Sequence, residues 1–163
     1  MDAAEILERY AAGRRDFRAV DLRGVELREA ALTHVDLRDA DLREACLVGA
    51  NLFRARLRCA DLSKANLTSA ILREADLRAA CLNGAVLYLC DLTEADLRDA
   101  SLKEVDASGA HLFRALLCGA DLRDATFYGS DLRWADLSGA DTKGVDFRTA
   151  KLNGAVMPDG GPW

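Results

Sequence analysis

Leucine recurs at every fifth residue along most of the chain. From Phe17 to Met157 there are 29 such positions, and 23 of them are Leu. From Leu22 onward the residue two places earlier is always small, usually Ala and otherwise Val, Cys or Ser. The residue between these two is most often Asp, as in Ala40-Asp41-Leu42. No insertion or deletion shifts the phase, so the chain is built from an internal repeat of five residues.

A period of five fits neither of the common regular elements. On an α-helix the leucines would spiral around every face, and on a flat strand they would alternate between two faces. All leucines point inward if the chain turns about a quarter circle per repeat, so that four repeats make one square coil. Coils would then stack about 4.8 Å apart, with main-chain hydrogen bonds between them. The pattern therefore predicts an all-β solenoid, a four-sided parallel β-helix of about seven coils.

The repeat also resembles a known family. The pattern Ala-Asp/Asn-Leu-x-x over residues 16–157 is similar to that of the pentapeptide-repeat proteins. Residues 8–17 (ERYAAGRRDF) are similar to the N-terminal segment of cyanobacterial-type members, which carry a helix there. The resemblance implies a right-handed quadrilateral β-helix with stacked Leu or Phe ladders. It implies no specific function, because most members of the family have none assigned.

The two ends depart from the repeat. Residues 1–15 predict a short capping helix: Asp2 is an N-cap, Glu5 completes a capping-box pattern, Ile6, Leu7 and Tyr10 share one side, and Gly13 ends the helix. We expect this helix to cover the open first coil, although an amphipathic helix that binds a membrane or a partner is the alternative. Residues 158–163 form a tail rich in Pro and Gly. Either Trp163 covers the last coil or a second molecule does, which would make a homodimer through the C-terminal coil.

Composition limits the class of protein. The formal charge is −5, with 22 basic and 27 acidic residues, so no basic footprint predicts direct binding of nucleic acid. No apolar run is long enough to span a bilayer, and no secretion signal is apparent, so we expect a cytoplasmic protein without membrane association. The five cysteines have no CxxC spacing and are interpreted as free thiols.

Residues twenty apart should stack into columns on the four outer sides. One side carries five arginines directly after the inward residue, preceded by a column of Asp that Arg56 and Leu116 interrupt. The arginines are Arg18, Arg38, Arg58, Arg78 and Arg98. The columns predict a solvated ladder in which Asp and Arg neutralise each other, or alternatively an anion-binding stripe.

Two other sides carry more apolar groups. On one of them Cys46 and a set of apolar residues should point outward, and on the next side three aromatic residues join them. We hypothesise an interaction surface formed by Val48, Val86, Tyr88, Leu89, Tyr128, Phe53, Phe113 and Trp134. The alternative is ordinary packing of β-branched and aromatic groups on a sheet.

The sequence favours a binding protein over an enzyme. His34 and His111 should lie several coils apart, and the solenoid brings together no nucleophile with a base, so no catalytic, metal or cofactor site is expected. We interpret the chain as a non-catalytic structural or protein–protein interaction module with an unidentified protein partner. The alternative is a DNA mimic that binds a type II topoisomerase such as gyrase, as some members of the family do. The mild net charge and the alternating Asp and Arg columns weigh against this alternative.

Overall fold

The chain forms a stack of square coils. This computed structural model describes residues 1–162. Single-residue parallel β-bridges join each position before an inward residue to the position twenty residues later, from Asp16↔Asp36 to Asp136↔Val156. Within residues 1–162 every strand is one residue long, because the chain turns a corner after each bridge. The predicted period of twenty residues per coil is confirmed.

Main-chain hydrogen bonds tie each coil to its two neighbours. The Leu77 N–H donates to Asp96 O at 2.8 Å in the following coil, and the Asp76 N–H donates to Ala55 O at 3.0 Å in the preceding one. The same pattern repeats in every repeat of the inner coils. Because the bonds run along the axis, each coil satisfies the backbone of the next.

Each corner is a tight turn with one residue in the left-handed region. The Ala80 N–H closes the turn onto Leu77 O at 3.0 Å. The third residue of this four-residue turn has positive φ, as at Ala79 (53°) and Gly129 (67°). This conformation reverses the chain direction enough to start the next side of the square.

The core is a continuous set of stacked aliphatic side chains. The fifth-residue positions from Phe17 to Leu137 are all at most 1% exposed. Polar replacements at the small inward positions are satisfied locally: the Ser130 hydroxyl donates to Phe127 O at 2.8 Å, and the Cys90 thiol to Ala70 O at 3.2 Å. Burying a Leu side chain stabilises a fold by about 1.5–3 kcal/mol, so this interior is the main source of stability.

One helix precedes the coils. Helix α1 spans Ala3–Ala11, and the side chain of Asp2 accepts a hydrogen bond from the Glu5 N–H at 2.9 Å. The Glu5 carboxylate pairs with Arg9 instead of completing the capping box. Gly13, with φ of 93°, follows the helix, and its N–H donates to Tyr10 O at 2.9 Å. The predicted N-cap and glycine stop are therefore confirmed.

Helix α1 packs against the first coil through part of its predicted apolar side. Ile6 is fully buried in the core cluster, and the Tyr10 hydroxyl donates to Thr33 O at 2.9 Å. In later coils the equivalent carbonyls accept main-chain N–H groups from the preceding coil. No coil precedes Thr33, so the Tyr10 hydroxyl supplies the donor instead. Leu7 is exposed, which corrects its predicted place on the buried side, because one turn of a short helix presents few residues to the coil.

The last coil is less enclosed than the inner ones. Thr142, Phe147 and Met157 are only partly buried. No acceptor within residues 1–162 pairs with the N–H of Thr142, Phe147 or Leu152, whereas their equivalents in inner coils all bond the next coil. The chain turns back at Gly160, and the Met157 N–H donates to Gly161 O at 2.7 Å. The expectation about Trp163 lies outside the described residues.

Candidate functional site

The outer columns of Asp and Arg form regular pairs within single repeats. In Asp76–Arg78, Asp76 Oδ1 accepts from the Arg78 backbone N–H at 3.3 Å and from its Nε at 2.8 Å, and Oδ2 accepts from Nη2 at 2.7 Å. The same three bonds recur at Asp16–Arg18, Asp21–Arg23, Asp36–Arg38, Asp41–Arg43, Asp96–Arg98, Asp121–Arg123, Asp131–Arg133 and Asp146–Arg148. Each Asp therefore holds a turn and an arginine at once.

These bonds stabilise the charged form of the carboxylates. Hydrogen bonds from the Arg38 and Arg78 side chains hold the pKa of Asp36 and of Asp76 below the ordinary value. At Asp96 burial acts in the opposite direction, but the hydrogen bonds from Arg98 outweigh it and the pKa is again lowered. The arginine face, defined as residues 16–19, 35–39, 55–59, 75–79 and 95–99, is thus largely self-neutralised.

The five central coils on the opposite side of the rod are almost free of charge. We define the uncharged face as residues 45–49, 65–69, 85–89, 105–109 and 125–129; Asp106 is the only charged residue in these segments. Tyr88, Leu89 and Tyr128 are the most exposed large side chains there, at 45%, 46% and 52%. The structure places Val48 and Val86 on this face, partly buried. It therefore brings together five of the predicted interaction residues.

One residue on this face departs from the expectation. Cys46 is only 7% exposed, although it occupies a column that was expected to face water. The residues before and after it in the column, Glu26 and Asn66, lie one coil away on either side. Neighbours at that spacing cover a side chain as short as that of Cys.

The three other predicted aromatic residues lie on the adjacent side among charges. Phe53 packs edge-on against His34, with ring centroids 5.6 Å apart, and the Arg54 guanidinium lies 4.9 Å from its centroid. Two arginines likewise cover Phe113. Trp134 is 62% exposed and its ring lies over the next coil. These residues form separate contacts and do not extend the uncharged face.

The described residues offer little to a catalytic or metal site. No group of three or more His, Cys, Asp or Glu side chains within residues 1–162 has the geometry to hold a metal ion. All five cysteines are free, and burial raises the pKa of the Cys90 thiol. An open depression of about 640 Å³ with a mainly polar lining lies between Met1 and the corner that carries Arg23 and Arg43.

Comparison with known families identifies the repeat. The family described as pentapeptide repeats matches this chain at residues 16–52, 36–73, 45–84, 70–106, 108–141 and 130–159. The chain is a pentapeptide-repeat protein. The right-handed quadrilateral β-helix expected from the resemblance is the fold of that family, and its members are generally non-catalytic binding scaffolds.

Several solved pentapeptide-repeat structures are similar to this chain. HetL, a protein involved in heterocyst differentiation regulation from Nostoc sp. strain PCC 7120, is 33% identical over 100% of both chains, with a TM-score of 0.31. QnrB1, a plasmid-mediated fluoroquinolone resistance protein, is 21% identical over 85% of this chain and 77% of its own, with a TM-score of 0.50. Rfr23 from Cyanothece 51142 is 19% identical over 95% and 99%, with a TM-score of 0.41. At this identity QnrB1 shows the fold alone.

A search of curated proteins gave no match to this chain. Among the described residues, no helix has the length and apolar character required to cross a bilayer.

Proposed function

We propose that this pentapeptide-repeat protein is a non-catalytic interaction module that binds a protein partner through its uncharged face. The observation that carries the proposal is the contrast in charge: the uncharged face has one charged residue over five coils, whereas each of the other three sides carries at least eight over the matching five coils. Interface cores are depleted in charge and enriched in Tyr, which is the composition found here.

The exposed side chains have the properties of interface anchors. Tyr88 and Tyr128 project from equivalent turn positions two coils apart, about 10 Å along the rod. Gly109 lies between them, and the side chain of Leu89 folds over it, 2.8 Å from where a Cβ would be. The partner would therefore meet two aromatic side chains that flank an aliphatic one. Because the backbone below is rigidly paired, little ordering of the protein opposes binding.

The relatives are consistent with a binding role. HetL is involved in regulation of heterocyst differentiation, and recognition of another molecule is part of such a role. The similarity supports the class of function and does not identify the partner of this chain.

Affinity capture with matched variants tests the face. We expect the wild type to recover a partner from its native host and the Tyr88→Asp/Tyr128→Asp variant to lose it by at least tenfold. Asn83→Asp/Asn153→Asp is the control, because it adds the same two charges at the same turn position on other sides. Equal recovery by all three folded proteins would refute the assignment of this face.

The alternative, a DNA mimic that binds gyrase, has less support. A DNA mimic needs rows of free negative charge, whereas Asp36, Asp76 and Asp96 on the arginine face are bonded to guanidinium groups. We expect no inhibition or protection of gyrase in a supercoiling assay at micromolar protein. Inhibition at that concentration would favour the alternative over the uncharged face.

We also propose that the last coil pairs with a second copy of the chain. Its unpaired N–H groups and the partly exposed Phe147 and Met157 form a sheet edge with an apolar rim. Light scattering is expected to show a dimer, and Phe147→Asp is expected to give a monomer. If the wild type remained a monomer at every protein concentration from about 1 to 100 μM, this assembly would be rejected.

A further inference from the structure

One arginine on the arginine face lacks the carboxylate that its equivalents have. In the coils on either side, Asp36 and Asp76 accept from the backbone N–H, Nε and Nη2 of Arg38 and Arg78. In the coil between them, position 56 is Arg instead of Asp. The column therefore has a positive side chain at position 56, where the adjacent coils have negative ones.

The donors of Arg58 are consequently unpaired. Among residues 1–162, no acceptor bonds the Arg58 backbone N–H, Nε or either Nη, and no carboxylate lies within 4.0 Å of its guanidinium. The other arginines at the same turn position all have such a carboxylate. Even Arg73, which follows Ile71 instead of an acid, has Asp91 at 4.0 Å.

Arg56 does not block the place of the missing carboxylate. Its side chain is 65% exposed, and its Nη1 lies 3.7 Å from Asp36 Oδ2, so it leans toward the preceding coil. Shallow depressions of about 270 and 230 Å³ flank Arg58 on the two sides of its turn. The unpaired donors are thus accessible from solvent.

We propose that Arg58 and Arg56 form a slot that binds the carboxylate of an aspartate or glutamate side chain of a partner protein. The visiting carboxylate would take the place that Asp36 and Asp76 take in the adjacent coils. There it would accept from the backbone N–H and the guanidinium of Arg58, with Arg56 above it. Arginine presents two parallel donors that match the two oxygens of a carboxylate.

The adjacent coils favour a carboxylate over a phosphate. Asp36 and Asp76 lie one coil away on either side, about 5 Å along the axis. Each fills the equivalent place with a planar carboxylate whose two oxygens accept from the backbone N–H, Nε and Nη2 of its arginine, so the place has the shape of a carboxylate. The slot also lies on the opposite side of the rod from the uncharged face, so it is a second contact region and its test is independent of the first.

Nuclear magnetic resonance of the whole chain can test the slot. The probes are acetyl-Gly-Asp-Gly-amide, its Asn counterpart and inorganic phosphate, each added at constant ionic strength. We expect the Asp peptide to shift the Arg58 amide resonance saturably, with a dissociation constant on the order of 0.1 M. The Arg38 and Arg78 amides, which are already bonded, should shift at least fivefold less, and the Asn peptide should have no saturable effect.

Three variants separate the slot from general attraction to arginine. Arg56→Asp restores the internal carboxylate and should abolish the Arg58 response, whereas Arg56→Ala leaves the place open and should keep it. Asp96→Ala opens a new slot and should give Arg98 a saturable response. Persistence of the Arg58 shift in folded Arg56→Asp, or equal shifts at Arg38 and Arg58, would overturn the proposal. Saturation by phosphate at a tenfold lower concentration than by the Asp peptide would overturn the choice of a carboxylate.

Discussion

The arginine face and the uncharged face carry different outward side chains over the same inward leucines. On the arginine face, Leu77 points inward between Asp76 and Arg78, which bond each other. On the uncharged face, Leu67 points inward between Asn66 and Thr68, and Asn66 Oδ1 accepts from the Thr68 N–H at 3.0 Å. Both leucines are fully buried. The same turn is therefore held by a charged pair on one side and by a neutral pair on the other.

The comparison separates the requirements of the fold from those of binding. The fold needs an inward apolar residue and a small residue two places before it. Many repeats also have a side-chain acceptor for the turn N–H, whereas others, such as the repeat with Arg58, form the same turn without one. Asp and Asn both supply that acceptor. The remaining outward positions are free to vary, so a partner can be recognised only through them.

Core truncation should have the largest effect and should not distinguish the two faces. Leu67→Ala and Leu77→Ala each remove a fully buried side chain that has Leu neighbours in both adjacent coils. We expect each to lower the free energy of unfolding by about 3–5 kcal/mol, because each leaves a cavity. Urea unfolding monitored by circular dichroism measures both.

The two losses should agree within about 1 kcal/mol if the core is uniform. A much larger loss at one site would show that the two sides of the core are packed differently. Tyr88→Ala is the surface control, and because Tyr88 is exposed its substitution should change stability by less than about 0.5 kcal/mol.

The fold was predictable because nearly every five-residue repeat carries the same pattern of an inward small residue and an inward Leu. Each Leu and small residue independently indicates an inward position, so an exception such as Ala107 or Thr142 cannot change the result. The caps of helix α1 were also predictable, since Asp2 and Gly13 act locally. Leu7 and Cys46 were placed wrongly, because their burial depends on what neighbouring segments cover.

The candidate sites were only partly predictable. Column stacking placed Tyr88 and Tyr128 on one face, but sequence spacing could not show that arginines cover Phe53 and Phe113. The unpaired state of Arg58 was also missed. Its signal was the Arg at position 56, but its meaning depends on the three-bond geometry of the Asp–Arg pair.

Removing the turn acceptor should have the next largest effect. Asp76→Ala leaves the Arg78 backbone N–H without its partner, and Asn66→Ala does the same to Thr68. We expect losses of about 1–2 kcal/mol for the first and about 1 kcal/mol for the second, measured by urea unfolding. The charged pair adds little to the difference because it is partly exposed to solvent.

Asp76→Asn is the control that separates the acceptor from the charge. Its amide oxygen keeps the bond to the turn N–H, so it should retain more than half of the stability that Asp76→Ala loses. If the Asn and Ala variants were equally unstable, the ion pair would be the main contribution, and the two faces would be held by different forces.

Acid should weaken the arginine face more than the uncharged face. The folded pKa of Asp36, Asp76 and Asp96 is lowered from the ordinary value of 3.8. A group whose pKa is lower in the folded state stabilises the fold above its unfolded pKa, and that contribution is lost as pH falls toward the folded pKa. We therefore expect stability to decrease as pH falls below about 4.

Hydrogen exchange and urea unfolding between pH 7 and pH 2 measure this loss. The triple variant Asp36→Asn/Asp76→Asn/Asp96→Asn should show a flatter decrease than the wild type, because three of the titrating groups are gone. Identical pH profiles for the two proteins would show that these carboxylates do not link folding to pH.

The smallest effects should come from the left-handed position of the turns, where the two faces also differ. The uncharged face has Gly129 there, and the arginine face has Ala79 with φ of 53°. A side chain in this conformation costs about 1–2 kcal/mol, and the greater backbone freedom of unfolded Gly offsets about 0.5–1 kcal/mol of that. Ala79→Gly should therefore stabilise the chain by up to about 1 kcal/mol, and Gly129→Ala should destabilise it by a similar amount.

The nearest atom to a Cβ at Gly129 is Thr149 Oγ1 at 3.8 Å, so this substitution reports the backbone conformation alone. Thermal unfolding of the two variants should show shifts of opposite sign, and shifts of the same sign would contradict a common turn geometry on the two faces.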